Sequence, residues 1–386
     1  MRILLLNYEF PPIGGGAATA SAHIAHHLAQ RGVEVAVLTS HWRGLARREV
    51  RDGYTIHRAR TLRSRADRCS LPEMGAFILG SALPALNLVN RFKPDLLHVY
   101  FGMPTGLVGL MVHLLARTPY LLSLRGGDVP GFLGGELALA HRLTLPLTRT
   151  IWSHAGKLVV NSRGLHQLAT RTLTSREIEI IPNGVDLQSF QPGLRSTEGE
   201  GKVRLLFVGR LVRQKGLIYL LQGLARLDPA TLRHVEVELA GSGPEGPRLR
   251  SLVAELGLQG VVRFAEWVPR GEIASHYQRA DAFVFPSLDE GMPNAMLEAM
   301  ACGLPILATD IRGNNELVQP GVNGILVPPA DPEALAGAIH RIVADPSLRR
   351  DMGEQSRLLA ARHDWSKVAE RYLALSEDIA GKGRAH

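Results

Sequence analysis

Short apolar runs rich in Leu, Val and Ile recur along the chain, and between them lie longer stretches with a helical apolar repeat. The short runs suit buried strands and the longer stretches suit crossover helices, so the pattern predicts parallel sheets in an α/β architecture. In the first half the predicted strands cover residues 2–7, 34–39, 95–99, 119–124, 157–161 and 178–182. A helix over 20–31 follows the first glycine-rich loop and stops at Gly32. Ile181-Pro-Asn-Gly-Val-Asp186 is turn chemistry, and the polar stretch after it reads as a linker over 187–202. The alternation then restarts with predicted strands at 203–208, 235–240, 261–264, 281–285, 305–309 and 324–327.

The expected fold is therefore α/β, with two Rossmann-like doubly wound domains facing each other across a cleft and ligands at the strand carboxyl ends. The expected domains are 1–186 and 203–365. Val368, Tyr372, Leu375 and Ile379 recur on one helical face, so a C-terminal helix over 366–380 is expected to pack back on the first domain.

Length and composition fit this picture. The chain has 386 residues, 45% hydrophobic and 21% charged, enough for two ordinary cores and too apolar for disorder. Met1 to Leu6 reads as a buried first strand, because Asn7, Glu9 and Pro11-Pro12 end an apolar run too short for a leader. The best membrane candidate, 77–89, is short and contains Pro84, so no spanning segment is expected. Cys69 and Cys302 are too few and too scattered for a disulfide framework, which points to a reducing, cytoplasmic setting.

The net charge of +8 is lopsided. Residues 1–186 hold 21 Lys and Arg against 12 Asp and Glu, and residues 41–68 alone hold nine arginines and three acids. Such a basic half suits an anionic membrane surface or an acidic substrate, unless the arginines merely solvate one face. Nucleic acid is not expected as a partner, because aromatic interleaving is sparse and no binding module is visible.

Candidate chemistry concentrates in the second half. Glu290 and Glu298 lie eight residues apart, about 80° around a helix. Pro293 should fall in the first turn, leaving Glu290 on the preceding loop and Glu298 about two turns inside. That arrangement suits an anionic, hydroxyl-rich ligand lying across a helix start, or else an ordinary solvated helix. Gly209-Arg-Leu-Val-Arg-Gln-Lys-Gly216 follows the first strand of its domain and brings Arg210 and Lys215 to a helix start. Two such cations suit a pyrophosphate and would stabilise a departing diphosphate. Gly14, Gly15 and Gly16 form a comparable loop after the first strand of the chain, without the lysine and hydroxyl of a P-loop.

Gly241-Ser-Gly-Pro-Glu-Gly246 is a literal dinucleotide fingerprint. It follows the second strand of its domain, and Pro244 interrupts its turn, so a glycine turn against a nucleoside is the better reading. No Asp-x-Asp and no Cys/His cluster with ligand spacing occurs, so no metal site is expected. His98, inside an apolar strand, reads as a core histidine, and His23, His26 and His27 receive no role.

Together these elements resemble the retaining glycosyltransferases of family 4, which have the two-domain GT-B fold, over nearly the whole chain. The most specific part runs through Phe285-Pro-Ser-x-x-Glu290-Gly, Glu298-Ala-Met-Ala-Cys-Gly-Leu-Pro305, Glu316-Leu-Val and Gly324-Ile-Leu-Val-Pro. Val208-Gly-Arg-x-x-x-x-Lys-Gly216 and Ile181-Pro-Asn-Gly-Val-Asp186 add independent support. The resemblance implies that Glu290 contacts donor-sugar hydroxyls, with the backbone of Gly291, Met292, Pro293 and Asn294 facing the same sugar. It implies that Glu298 holds the ribose and that Arg210 and Lys215 clamp the diphosphate. The base would lie near Gly241, Ser242 and Gly243 and the strand end at Trp267-Val268. Many relatives place a histidine where this chain has Arg125 in Arg125-Gly-Gly-Asp128, so no side-chain base is assigned; Arg125 and Asp128 join the glycine loop as acceptor-side candidates.

The resemblance thus implies a metal-independent, retaining transferase that moves a hexosyl group from a UDP- or GDP-sugar to a hydroxyl acceptor, without any cofactor. The acceptor would be lipid-linked, a cell-envelope glycan precursor or a soluble molecule. The expected location is cytoplasmic, peripheral at the inner membrane face if the basic half binds lipid. The competing readings are a sugar-nucleotide epimerase of the same fold and a non-catalytic, membrane-associated nucleotide-sugar-binding subunit.

Overall fold

Strands that are apolar on both faces need helices on both faces, and the computed structural model, which describes residues 1–66, 69–132, 138–193 and 201–384, has this layering. The chain divides into two units, Met1–Asn183 with Trp365–His386, and Gly184–Asp364. The crossing thus falls at Asn183–Gly184, ahead of the expected linker. Phe190 is buried in the second unit's core, and residues 194–200 of that linker lie outside the described residues.

The first unit holds β1 (Arg2–Leu6), β2 (Glu34–Ser40), β3 (Arg48–Arg51), β4 (Tyr54–Ala59), β5 (Leu96–Tyr100), β6 (Tyr120–Ser123), β7 (Lys157–Val160) and β8 (Ile178–Ile180). Their order in one sheet is β3-β4-β2-β1-β5-β6-β7-β8. All neighbours are parallel except β3 and β4, an antiparallel edge hairpin that the sequence reading missed. The signal was present: Asp52-Gly53 is a two-residue turn with both φ angles positive, flanked by alternating residues.

One sheet face is covered by α1 (Gly16–Gln30); α2 (Leu71–Phe92), α3 (Thr105–Ala116), α4 (Ala138–His154) and α5 (Arg163–Thr172) contribute to the core on the other. Helix α1 starts four residues earlier than expected, at Gly16 with Gly15 as its cap. Helix α2 is a correction. It runs for 22 residues straight through Pro84 and is long and apolar enough to cross a membrane by length and composition. Phe77, Ser81, Ala85 and Val89 nevertheless anchor one side of it in the unit's interior.

The second unit holds β9 (Val203–Val208), β10 (Val235–Ala240), β11 (Val262–Ala265), β12 (Ala282–Phe285), β13 (Ile306–Thr309) and β14 (Gly324–Val327). These form one parallel sheet in the order β11-β10-β9-β12-β13-β14. Its helices are α6 (Leu217–Leu224), α7 (Pro229–Leu232), α8 (Gly246–Glu255), α9 (Ile273–Arg279), α10 (Asn294–Ala301), α11 (Pro332–Ala344) and α12 (Pro346–Ala360). The last helix, α13 (Trp365–Arg384), belongs to the first unit, where it packs on α1 and β5. Trp365 stacks on His23 with ring centroids 5.1 Å apart, and the Ser376 hydroxyl lies 2.7 Å from His98 Nε2. Burial pushes His98 down to about 3, so it is a neutral core residue at physiological pH.

A capping box starts α2. Ser70 N–H donates to Glu73 at 2.7 Å, and hydrogen bonds from Ser64 and Ser70 hold the Glu73 carboxyl down at about 2. A depressed carboxyl contributes stability above its unfolded pKa and loses it as pH falls toward the folded one. Acid titration of the melting temperature should therefore show a loss between about pH 5 and pH 2 that Glu73→Gln flattens. Ser70→Ala should cost about 1 kcal/mol at neutral pH in chemical denaturation.

Candidate active site

In the second unit the chain leaves β9 toward one side of the sheet and β12 toward the other, so the loops after these adjacent strands meet at their carboxyl ends. Contacts along the two loops are dense. Leu288 N–H donates to the Gln214 carbonyl at 2.7 Å, and the Gln214 side-chain amide donates to the Asp289 carbonyl at 2.6 Å. Gly216 has φ +62, and a Cβ there would collide with the Pro286 carbonyl oxygen, so glycine is required where the loops touch.

This approach brings together two predicted residues 75 positions apart. Lys215 Nζ donates to Glu290 Oε1 at 2.5 Å, with side-chain exposures of 13% and 9%. The same ammonium lies 4.7 Å from the centroid of the Phe285 ring. Arg210, one residue past Gly209, is exposed. Arg312 donates to Asp289 at 3.1 Å and braces the Glu290 loop from the far side, a contact that spacing alone did not suggest.

Helix α10 begins just after this pair. Pro293 is its N-cap with φ −78 and ψ 115, one position earlier than expected, and as a proline it offers no side-chain cap of its own. The helix is only eight residues long, so Glu298 lies just over one turn inside rather than two. Gly291, Met292, Pro293 and Asn294 form the approach to this positively polarised helix start. Glu298 Oε2 accepts from the Tyr277 hydroxyl at 2.9 Å. Burial pushes the Glu298 carboxyl up, while Arg270 and Tyr277 oppose that rise. Nothing in the sequence pattern marked Tyr277 or Arg270, because they reach Glu298 from another helix and loop.

The glycine turn after β10 packs on the turn after β9. Leu211 N–H donates to the Ser242 carbonyl at 2.9 Å. A Cβ on Gly241 would strike the Gly209 carbonyl, and one on Gly243 the Leu211 carbonyl. These glycines therefore serve loop-on-loop contact first, and they place Ser242 beside the Arg210 turn. Val268 lies three residues beyond the end of β11, in the loop, next to Trp267, which is 68% exposed.

The first-unit candidates occupy two separate loops, after β1 and β6, with β5 between those strands. Gly15 and Gly16 are exposed, whereas Gly14 has φ +95 and fits tightly against Glu9 and Ala18. The Asp128 carboxylate accepts from the backbone amides of Gly102, Arg125 and Gly126 at 2.7, 2.9 and 2.9 Å. Burial raises its pKa against those bonds, and it organises the loop. Arg125 donates to Asn183 at 2.9 Å and to the Tyr372 hydroxyl at 3.2 Å, with its guanidinium 4.9 Å from the Tyr100 ring centroid.

Two family profiles match: Glycosyltransferase Family 4 over residues 14–189 and Glycosyl transferases group 1 over residues 195–359. A D-inositol 3-phosphate glycosyltransferase of Corynebacterium jeikeium is 30% identical, over 99% of this chain and 98% of its own. Sucrose-phosphate synthase of Thermosynechococcus elongatus superposes with a TM-score of 0.88 at 23% identity, covering 99% of both chains. The Anabaena protein HepE in complex with UDP-glucose superposes at 0.76 with 20% identity, covering 99% of this chain and 100% of its own. The two parallel-sheet units are those of GT-B glycosyltransferases. The chain belongs to the group 1, family 4 glycosyltransferases.

Removing one member of a poorly solvated ion pair strands its partner's charge. Lys215→Met should therefore cost about 3 kcal/mol in chemical denaturation, and adding Glu290→Gln should recover most of it. A single variant as stable as wild type would show that the pair is solvated and structurally neutral.

Proposed function

We propose that this glycosyltransferase is a retaining, metal-independent hexosyltransferase that uses a UDP- or GDP-sugar. The observation that carries the reading is the Lys215–Glu290 pair beside the start of α10, with Glu298 held just inside. An ammonium has three donors, so Lys215 keeps Glu290 and still offers hydrogens to a phosphate oxygen. Exposed Arg210 supplies the second cation as charge grows on the departing diphosphate. Glu290 then accepts from donor-sugar hydroxyls and Glu298 from the ribose, with the base near Ser242 and Val268. HepE in complex with UDP-glucose supports a nucleotide-sugar donor for this site.

In this reading the acceptor hydroxyl attacks the anomeric carbon on the face from which the phosphate departs. The bond from carbon to the phosphate oxygen breaks, the new glycosidic bond forms, and the acceptor proton passes to the leaving phosphate oxygen. Arg125 fits this scheme, because it is held by Asn183 and Tyr372 and, as a cation, is no base. The acceptor is a lipid-linked or envelope-glycan hydroxyl at the cytoplasmic face of a membrane, in keeping with the excess of positive charge in the first half. The epimerase reading would instead yield free nucleotide without an acceptor product.

A donor panel screened by thermal shift, followed by turnover with the best hit, tests the proposal. Glycosyl transfer with anomeric retention, unaffected by chelator, is expected; loss in chelator with recovery on magnesium or manganese refutes the metal-free scheme. Glu298→Ala should weaken free nucleotide and nucleotide-sugar alike, whereas Glu290→Ala should weaken mainly the sugar-bearing donor. Each loss should be about tenfold or more, from a charge-assisted hydrogen bond of about 1.5–3 kcal/mol. Arg210→Ala should lower turnover more than it raises the donor's apparent binding constant, since the charge it faces grows in the transition state.

A further inference from the structure

We propose that α2 docks the first unit on an anionic lipid surface, lying in the membrane plane with its outward apolar face in the headgroup region. The proposal extends the reading that the acceptor is membrane-borne, and it names the surface that would bring the enzyme there. Phe77, Ala85 and Val89 are buried in the unit's core, so α2 cannot leave the sheet to span a bilayer. Its opposite side is unpartnered: Leu79 and Leu83, four residues apart on one face, are 83% and 70% exposed. The whole helix carries only two charges, Glu73 and Arg91, near its two ends. Asn87, Asn90 and Arg91 are exposed toward the end of the helix, so the outward apolar stretch is confined to residues 71–83, where a water-facing helix would carry polar residues.

The layer beside α2 repeats the pattern. Leu114 and Leu115 at the end of α3, and Leu139 and Leu143 on α4, are each more than 60% exposed. Helices α1 and α13 show no large exposed apolar side chain among the described residues. Apart from Met1, Val50 and Leu62, the large exposed apolar side chains of this unit therefore gather on one layer.

Cations lie alongside. The Arg60 carbonyl abuts α2 at Gly80, where a Cβ would collide with it. Arg47, His57, Arg58 and Arg60 line a groove of about 400 Å³ whose other wall includes Pro84 and Leu88 of α2. Arg58 is committed to Glu49, but Arg47 and Arg60 are exposed. Leucines on a helix face with arginines at its flank match the apolar and anionic layers of a lipid surface, which neither a polar partner nor bulk water does.

Sedimentation of the full chain with phosphatidylcholine vesicles, with and without phosphatidylglycerol, tests this. Binding to anionic vesicles, little binding to neutral ones and release by salt are expected. Leu79→Gln with Leu83→Gln should lower partitioning at least about tenfold at an unchanged melting temperature. Arg47→Gln with Arg60→Gln should weaken binding several-fold and remove much of its salt dependence. Leucine-variant binding equal to wild type, or equal indifference of wild type to both vesicles, overturns the proposal. A wild-type dimer that the leucine variant dissolves also overturns it, assigning the face to a second copy. Turnover of the leucine variant on a water-soluble acceptor should match wild type. Vesicle binding by a protein with no transferase activity would instead defeat the functional reading and leave the docking face standing.

Discussion

The second unit is organised around one ion pair. Lys215 and Glu290 meet because β9 and β12 are neighbours whose connections leave on opposite sides, so two loops share one space at the sheet's carboxyl edge. Burying most of both side chains is costly unless each satisfies the other. The pair therefore demands the supports around it: the Gly216 approach, the Gln214 bonds to the opposite loop, and Arg312 on Asp289. A ligand with phosphate and hydroxyl groups can join such a pair without first uncovering an unsatisfied charge.

The first unit solves a different problem. Its central strands are buried on both faces, and α13 returns from the far end of the chain to cover one of them. The polar groups under that helix are paired with each other: His98 with Ser376, Ser123 with Tyr372, and Arg125 with Tyr372 and Asn183. Arg125 thereby connects the loop after β6 to the last residue before the chain leaves the unit and to the helix that returns. A histidine at that position would be too short for both bonds.

Part of the basic character of this unit is internal. Arg58 and Arg63 have nearly buried side chains that pair with Glu49 and Glu9, and Arg51 also pairs with Glu49. Arg43, Arg47, Arg48, Arg60 and Arg65 remain exposed, while Arg68 lies outside the described residues. Net charge along a sequence counts all of these alike, but only the exposed ones create a surface field.

Most strands of both sheets were legible in the sequence because doubly buried strands leave uninterrupted apolar runs, and the candidate-site loops were legible because glycines and charged residues punctuate them. The acidic pair, the Arg210–Lys215 turn and the core role of His98 could all be read this way. The β3–β4 hairpin was hidden because β3, Arg48-Glu-Val-Arg51, is a four-residue edge strand with a single apolar residue and leaves no apolar run. Helix α2 was hidden because Pro84 read as a break in a short apolar run over 77–89, whereas the helix passes straight through it and Gly80 lets the Arg60 backbone approach. Tertiary structure alone decided that Lys215 finds Glu290, that Tyr277 holds Glu298, and that Gly241 and Gly243 serve a loop contact. Each of these joins residues on different connections, and local spacing carries no information about which loops a sheet's strand order will bring together.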